Sequence, residues 1–185
     1  MRILAGSYRG KRISAGFDHS IRPMTNKNKE SIFAVLGDFF SDQNVLDLFC
    51  GSGNLGLESL SRGAACVTFV ERDKNSLTVL RDNIKSLTIE SSHIKIIAGD
   101  VLSFLKETNS RFRLIFADPP FNYDKLQNVV EAVFKHQWLD SEGILVLHHE
   151  KTNPIYQDND QYRILKQKKT GRSLITFLAQ EKIND

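Results

Sequence analysis

Residues 47–56 read DLFCGSGNLG. The glycines at 51, 53 and 56 fit G-x-G-x-x-G, and they stand between an apolar run, NVLDLF at 44–49, and a helical pattern at 54–62. A glycine turn that leaves a strand and opens a helix belongs to a βαβ unit with a ligand at the turn. The rest of the chain repeats that alternation. Short apolar runs near 66–71, 93–98, 112–117, 143–149, 162–167 and 173–179 are separated by helical patterns at 73–87, 101–107 and 124–136. The expectation is an α/β, Rossmann-like fold with a mostly parallel, seven-stranded sheet and helices on both faces.

At 185 residues there is room for one well-buried domain. We assign 1–185 to it, with a catalytic core at 26–185 and a β-hairpin extension at 1–25, where RILAGSYRGKRIS reads as two short runs around a turn. Thr25 is placed to cap a helix carrying Ile32, Phe33, Val35 and Leu36. The extension is basic: residues 1–30 hold seven Lys and Arg against Asp18 and Glu30, in a chain of formal net charge +3. No apolar run approaches the 18 residues of a membrane span, and the N-terminus lacks a signal-peptide core, so the expected setting is cytoplasmic. Cys50 and Cys66 have no nearby His partners, so neither a metal site nor a disulfide is expected.

Acidic residues narrow the ligand. Glu71 ends the second strand, 20 residues past Gly51, where a carboxylate can accept from both hydroxyls of a ribose. Asp47 lies four residues before Gly51 and would repel a pyrophosphate at the helix N-terminus. A cofactor with an ammonium group and no phosphates suits it, and S-adenosyl-L-methionine is such a cofactor. Asp100, after Gly99 at the end of the third strand, could accept from an adenine amino group or cap the next helix.

The fourth strand stops on FADPPF, 116–121. Prolines cannot donate to a ladder, so Pro119 and Pro120 end the strand and stiffen the backbone at its exit. Asp118 and the Pro119 carbonyl could accept the two hydrogens of an exocyclic amine, while Phe121 offers a face to a planar base. The reading from residues alone is amino-group methylation.

The set DLFCGSG, FVE, GD and DPPF resembles the class I S-adenosylmethionine-dependent methyltransferases that modify amino groups. RILAGSYRGKRI, IRPMTNKNKESIF and GLESLSRGA resemble one family among them, the RsmD-type enzymes acting on guanine N2 of small-subunit (16S) ribosomal RNA. The likeness runs from Arg2 to about Leu178 and implies a class I methyltransferase fold. It implies that Asp47, Phe49, Gly51, Gly53, Glu71 and Asp100 contact the cofactor, and that Asp118, Pro119, Pro120 and Phe121 hold the base. Asn26, Lys27 and Thr170 stand where that family usually has Asp, Arg and Tyr. Ribosomal RNA, free or in the assembled small subunit, is then the expected partner of a monomer, with Arg2, Arg9, Lys11, Arg12 and Arg22 as its phosphate contacts.

Other readings stay open here. An adenine in nucleic acid or a protein glutamine could be the methylated group, although the chain has no room for a further recognition domain. A nicotinamide oxidoreductase is disfavoured by Asp47, and a silent assembly factor would not need DPPF. Arg163, Lys166, Lys168, Lys169 and Arg172 form a second basic cluster that suits an exposed edge strand, and His148 and His149 read as structural.

Overall fold

The computed structural model describes residues 1–16, 24–106, 110–121, 123–155 and 160–181. After helix α1 (Asn26–Leu36), strand and helix alternate as β1 (Asn44–Leu48), α2 (Asn54–Ser61), β2 (Cys66–Glu71), α3 (Lys74–Leu87) and β3 (Ile94–Ala98). Then come α4 (Val101–Phe104), β4 (Phe112–Ala117), α5 (Leu126–Lys135), β5 (Leu139–Glu150), β6 (Tyr162–Thr170) and β7 (Ser173–Gln180). The seven strands form one sheet in the order β3-β2-β1-β4-β5-β7-β6. The first five run parallel, and β7 is antiparallel to both of its neighbours. The expected architecture is present.

Central strands read as continuous apolar runs because helices cover both faces. Leu57 of α2, Leu80 of α3 and Ile32 and Phe33 of α1 pack with Val45, Phe69 and Phe116 on one side. Val101 of α4 and Leu126, Val129, Val130 and Val133 of α5 pack with Leu46, Ile115 and Leu147 on the other. Each fully buried Leu or Phe is worth about 1.5–3 kcal/mol over an exposed one. Thr25 caps α1 by accepting from the Asn28 amide at 3.2 Å, as the sequence suggests. The helix expected at 101–107 is a single turn, capped by Asp100. No helix among the described residues is long and apolar enough to cross a membrane.

The N-terminal piece is fastened more deeply than a surface hairpin. Its ladder is one bridge between Arg2 and Arg12, but Ile3 and Ile13 are buried in the core. Below it lies an ion pair with no exposed side-chain surface, Lys29 Nζ to Glu58 Oε2 at 3.0 Å. Glu58 also accepts from the amides of Leu4 and Ala5, and Lys29 also donates to Arg2 O and Asn54 Oδ1. Burial pushes the Lys29 ammonium below its usual value, opposed by the Glu58 charge. One buried carboxylate thus ties the hairpin to α1 and α2.

Candidate functional site

The order of strands switches between β1 and β4, whose carboxyl ends lie side by side, with Leu48 opposite Ala117. One step further, the glycine loop leaves β1 and DPPF leaves β4. Phe49, Gly51 and Gly53 all have positive φ, at 57°, 54° and 88°. Only Gly51 fronts open space: a Cβ there would meet nothing within 4 Å. A Cβ on Gly53 would come within 2.5 Å of Leu80, and one on Gly56 within 2.3 Å of the Phe69 ring. Side chains at the second and third glycines would clash with the packed core, whereas the first fronts open space for a ligand.

Carboxylates hold this loop. Glu71 Oε2 accepts from the Gly51 amide at 2.9 Å, and Oε1 accepts from the amides of Arg72 and Asp73. Asp47 is only 1% exposed and accepts from the Gly56 amide at 2.8 Å. It lies beneath the loop rather than open to a ligand, so it acts through the Gly56 amide it holds. Burial pushes its carboxyl up to about 8, and the nearby charges of Asp118 and Glu71 add to the shift. Glu71 and Asp118 leave acidic groups on the strand ends to either side, which favours a positively charged ligand and disfavours phosphate. Asp100 caps α4 by accepting from the Ser103 amide at 2.9 Å.

Tyr123, which the sequence reading passed over, closes the opposite wall. Its ring lies 4.9 Å from that of Phe49 at 68°, and its amide donates to Pro120 O. Its phenol is pushed up by burial and then by the charge of Asp100, which places it on the rim between DPPF and α4.

The second residue missed is His148. Its Nδ1 lies 2.8 Å from Asp118 Oδ1, and because an ionised carboxylate can only accept, Nδ1 carries the proton. His148 is 5% exposed, and its ring meets that of Phe121 edge-on at 5.7 Å. This corrects the structural reading of His148. Its acidic partner is 30 residues away and is delivered by the pairing of Ala117 with Leu147. Parallel alignment of FADPP with VLHH was the available signal. His149 is structural as expected, held by Thr176 Oγ1 and backbone carbonyls, and burial pushes its imidazole below the usual value. Pro119 is buried, while Asp118 and Phe121 are half-buried at the cleft.

The predicted RNA contacts are spread along the hairpin, whose base reaches the glycine loop: Lys29 Nζ donates to both Arg2 O and Asn54 Oδ1, Arg2 pairs with Arg12, and Asn83 Nδ2 donates to both Ser14 O and Ser52 O. Arg2, Arg9, Lys11 and Arg12 are exposed, and Arg22 lies outside the described residues. The hairpin turn docks on the far end of α2, where Ser7 N donates to Ser61 O and Tyr8 N to Ser61 Oγ. That is the rim opposite the glycine loop.

A protein family described as Conserved hypothetical protein 95 matches residues 1–179. The chain belongs to this family. The YlbH protein of Bacillus subtilis is 37% identical over 154 residues, covering 82% of this chain and 83% of its own length. Ribosomal RNA small subunit methyltransferase D of Haemophilus influenzae is 32% identical over 173 residues, 92% of this chain and 89% of its own. Among solved structures, the yhhF protein of Escherichia coli superposes with a TM-score of 0.87 at 28% identity, covering 98% of both chains. Family membership thus extends over the hairpin, the glycine loop and DPPF together.

Proposed function

We propose that this protein uses S-adenosyl-L-methionine to methylate the exocyclic N2 amine of a guanine in small-subunit ribosomal RNA, working in the cytoplasm as a single catalytic domain, 1–185. The observation that carries the reading is Asp118, fixed by His148 at the end of β4 and facing the glycine loop across the strand-order switch. The names of relatives such as ribosomal RNA small subunit methyltransferase D support the substrate class.

The residues fit a cationic methyl donor. Gly51 leaves space, and the carboxylates of Glu71 and Asp118 supply negative potential beside it. Glu71 and Asp100 would hold the ribose and adenine, and Phe49 and Tyr123 would wall the nucleoside. When bound, S-adenosylmethionine supplies an electrophilic methyl group on a sulfonium.

Asp118 and the Pro119 carbonyl accept the two N–H bonds of the guanine amine, which localises its lone pair and orients it. Phe121 supports the base, and its ring is itself steadied by His148. Because the His148 bond fixes Oδ1 of Asp118, the carboxylate presents one defined orientation to the amine rather than an average of several. The amine proton becomes strongly acidic as the nitrogen gains its methyl and departs to water or a weak acceptor such as the Asp118 carboxylate, so acceptance and orientation suffice and a strong base is unnecessary.

The test incubates the purified protein with methyl-labelled S-adenosylmethionine and small subunits, or their naked RNA, from cells lacking the gene. Nucleoside mass spectrometry should find N2-methylguanosine. Label in methyladenosine or in protein glutamine would refute the substrate assignment.

A further inference from the structure

Between the start of α1 and the β6–β7 turn lies a cleft of about 350 Å³, lined by Lys27, Asn28, Ser31, Lys168, Lys169 and Thr170, with Ile175 on its floor. Among the described residues, none of those lining it is acidic. Its walls are set rather than loose: Thr170 Oγ1 donates to Asn28 Oδ1 at 2.6 Å, and Lys168 Nζ donates to Ser31 Oγ at 3.0 Å. Asn28 is buried, so α1 and the turn are clamped across the cleft.

Strand register ties this cleft to the candidate catalytic centre. His148, which holds Asp118, pairs with Ile175 on β7, and Ile175 pairs with Lys168 on β6. Asp118, His148, Ile175 and Lys168 therefore form one row across four neighbouring strands. At about 4.8 Å per strand, the cleft lies roughly 14 Å from Asp118 along the same rim. That is the reach of a few nucleotides. The tip of the N-terminal hairpin, by contrast, sits at the opposite rim against Ser61.

We propose that this cleft is a phosphate-binding subsite that grips the RNA backbone beside the guanine extruded into the site. The proposal rests on the methyltransferase reading above. Lysine ammoniums and the Ser31 and Thr170 hydroxyls match the oxygens of a phosphodiester, and an acid-free wall does not repel them. A base pulled from folded RNA needs its flanking phosphates held close to the pocket, and among the described residues this cleft puts lysines on the catalytic rim at that distance.

The test replaces Lys27 and Lys169, both exposed, by Ala and separately by Glu. The control replaces Lys106 and Lys135, exposed lysines at the far ends of α4 and α5, by Ala. Binding to a small-subunit ribosomal RNA fragment is measured by fluorescence anisotropy over a KCl series, alongside calorimetry with S-adenosylmethionine. The cleft variants should flatten the slope of log K against log salt by about one per lysine removed. They should also raise KM for RNA while cofactor affinity matches wild type, and the control should leave the slope as it was. A slope in the cleft variants equal to the control overturns the subsite. Wild-type protein that binds RNA yet transfers no methyl group overturns the enzymatic reading instead, and the slopes still decide the cleft.

Discussion

Removing the His148 side chain tests whether Asp118 must be held to work. The bond at stake is a 2.8 Å N–H to carboxylate contact, and hydrogen bonds to charged groups contribute about 1.5–3 kcal/mol. The Asp118 side chain is 27% exposed, so water can take over part of the lost interaction, which favours the lower end of that range. At about 1.36 kcal/mol per tenfold, His148→Ala should slow methyl transfer by roughly 10-fold, with an upper bound near 150-fold. His148→Asn should recover most of that loss, because the asparagine Nδ2 sits the same number of bonds from the backbone as the imidazole Nδ1 and can donate to the same oxygen. His148→Gln, one carbon longer, should recover less. The assay is single-turnover transfer at saturating RNA and donor, paired with calorimetric affinity for S-adenosylmethionine and a melting curve. Affinity should not change, since Gly51 follows β1 and Glu71 ends β2, both separated from His148 on β5 by β4. Transfer by the Ala variant at the wild-type rate would refute the orienting role. So would an Asn variant as slow as Ala despite an equal melting temperature, since that would mark the defect as one of packing against Phe121.

Asp118→Asn keeps an acceptor oxygen and should lose about 1–3 kcal/mol, roughly 5- to 150-fold in single-turnover rate, whereas Asp118→Ala should fall further; equal losses would argue for an obligate base. Glu71→Ala removes the acceptor of the Gly51 amide as well as the expected ribose contact, and should weaken S-adenosylmethionine binding by about 1.5–3 kcal/mol in calorimetry. Lys29→Met leaves Glu58 buried with one cation fewer and should cost about 3–5 kcal/mol in urea unfolding, so a loss under about 1 kcal/mol would contradict the clamp. Asp47 titrates near its ordinary value of 3.8 when unfolded but near 8 when folded, so the folded state binds the extra proton between those values and stability falls as pH rises through that window. Asp47→Asn should flatten this fall, and parallel melting profiles of ligand-free wild type and variant from pH 5 to 8.5 would contradict it.

The glycine loop, the strand ends at Glu71 and Asp118, and the Thr25 cap were legible in the sequence because each is a local event. A proline stops a strand, a glycine admits a positive φ, and a threonine caps the amide three residues on, wherever the rest of the chain lies. Even the neighbourhood of β1 and β4 stems from the general order of doubly wound sheets. His148 was not legible, because a histidine in an apolar strand acquires its meaning from the partner that register sets beside it, and register is fixed by packing across the whole sheet. The lysines of β6 looked like any solvated edge until α1 docked against the β6–β7 turn and gave them a shared cleft. The basic hairpin shows the same limit from the other side. Its charge was plain in the sequence, but the buried Lys29–Glu58 pair and the contacts to Ser61 decided which rim its tip would face. Contacts between segments far apart in sequence depend on how helices and strands close over a common core, and that information exists only once the core is formed.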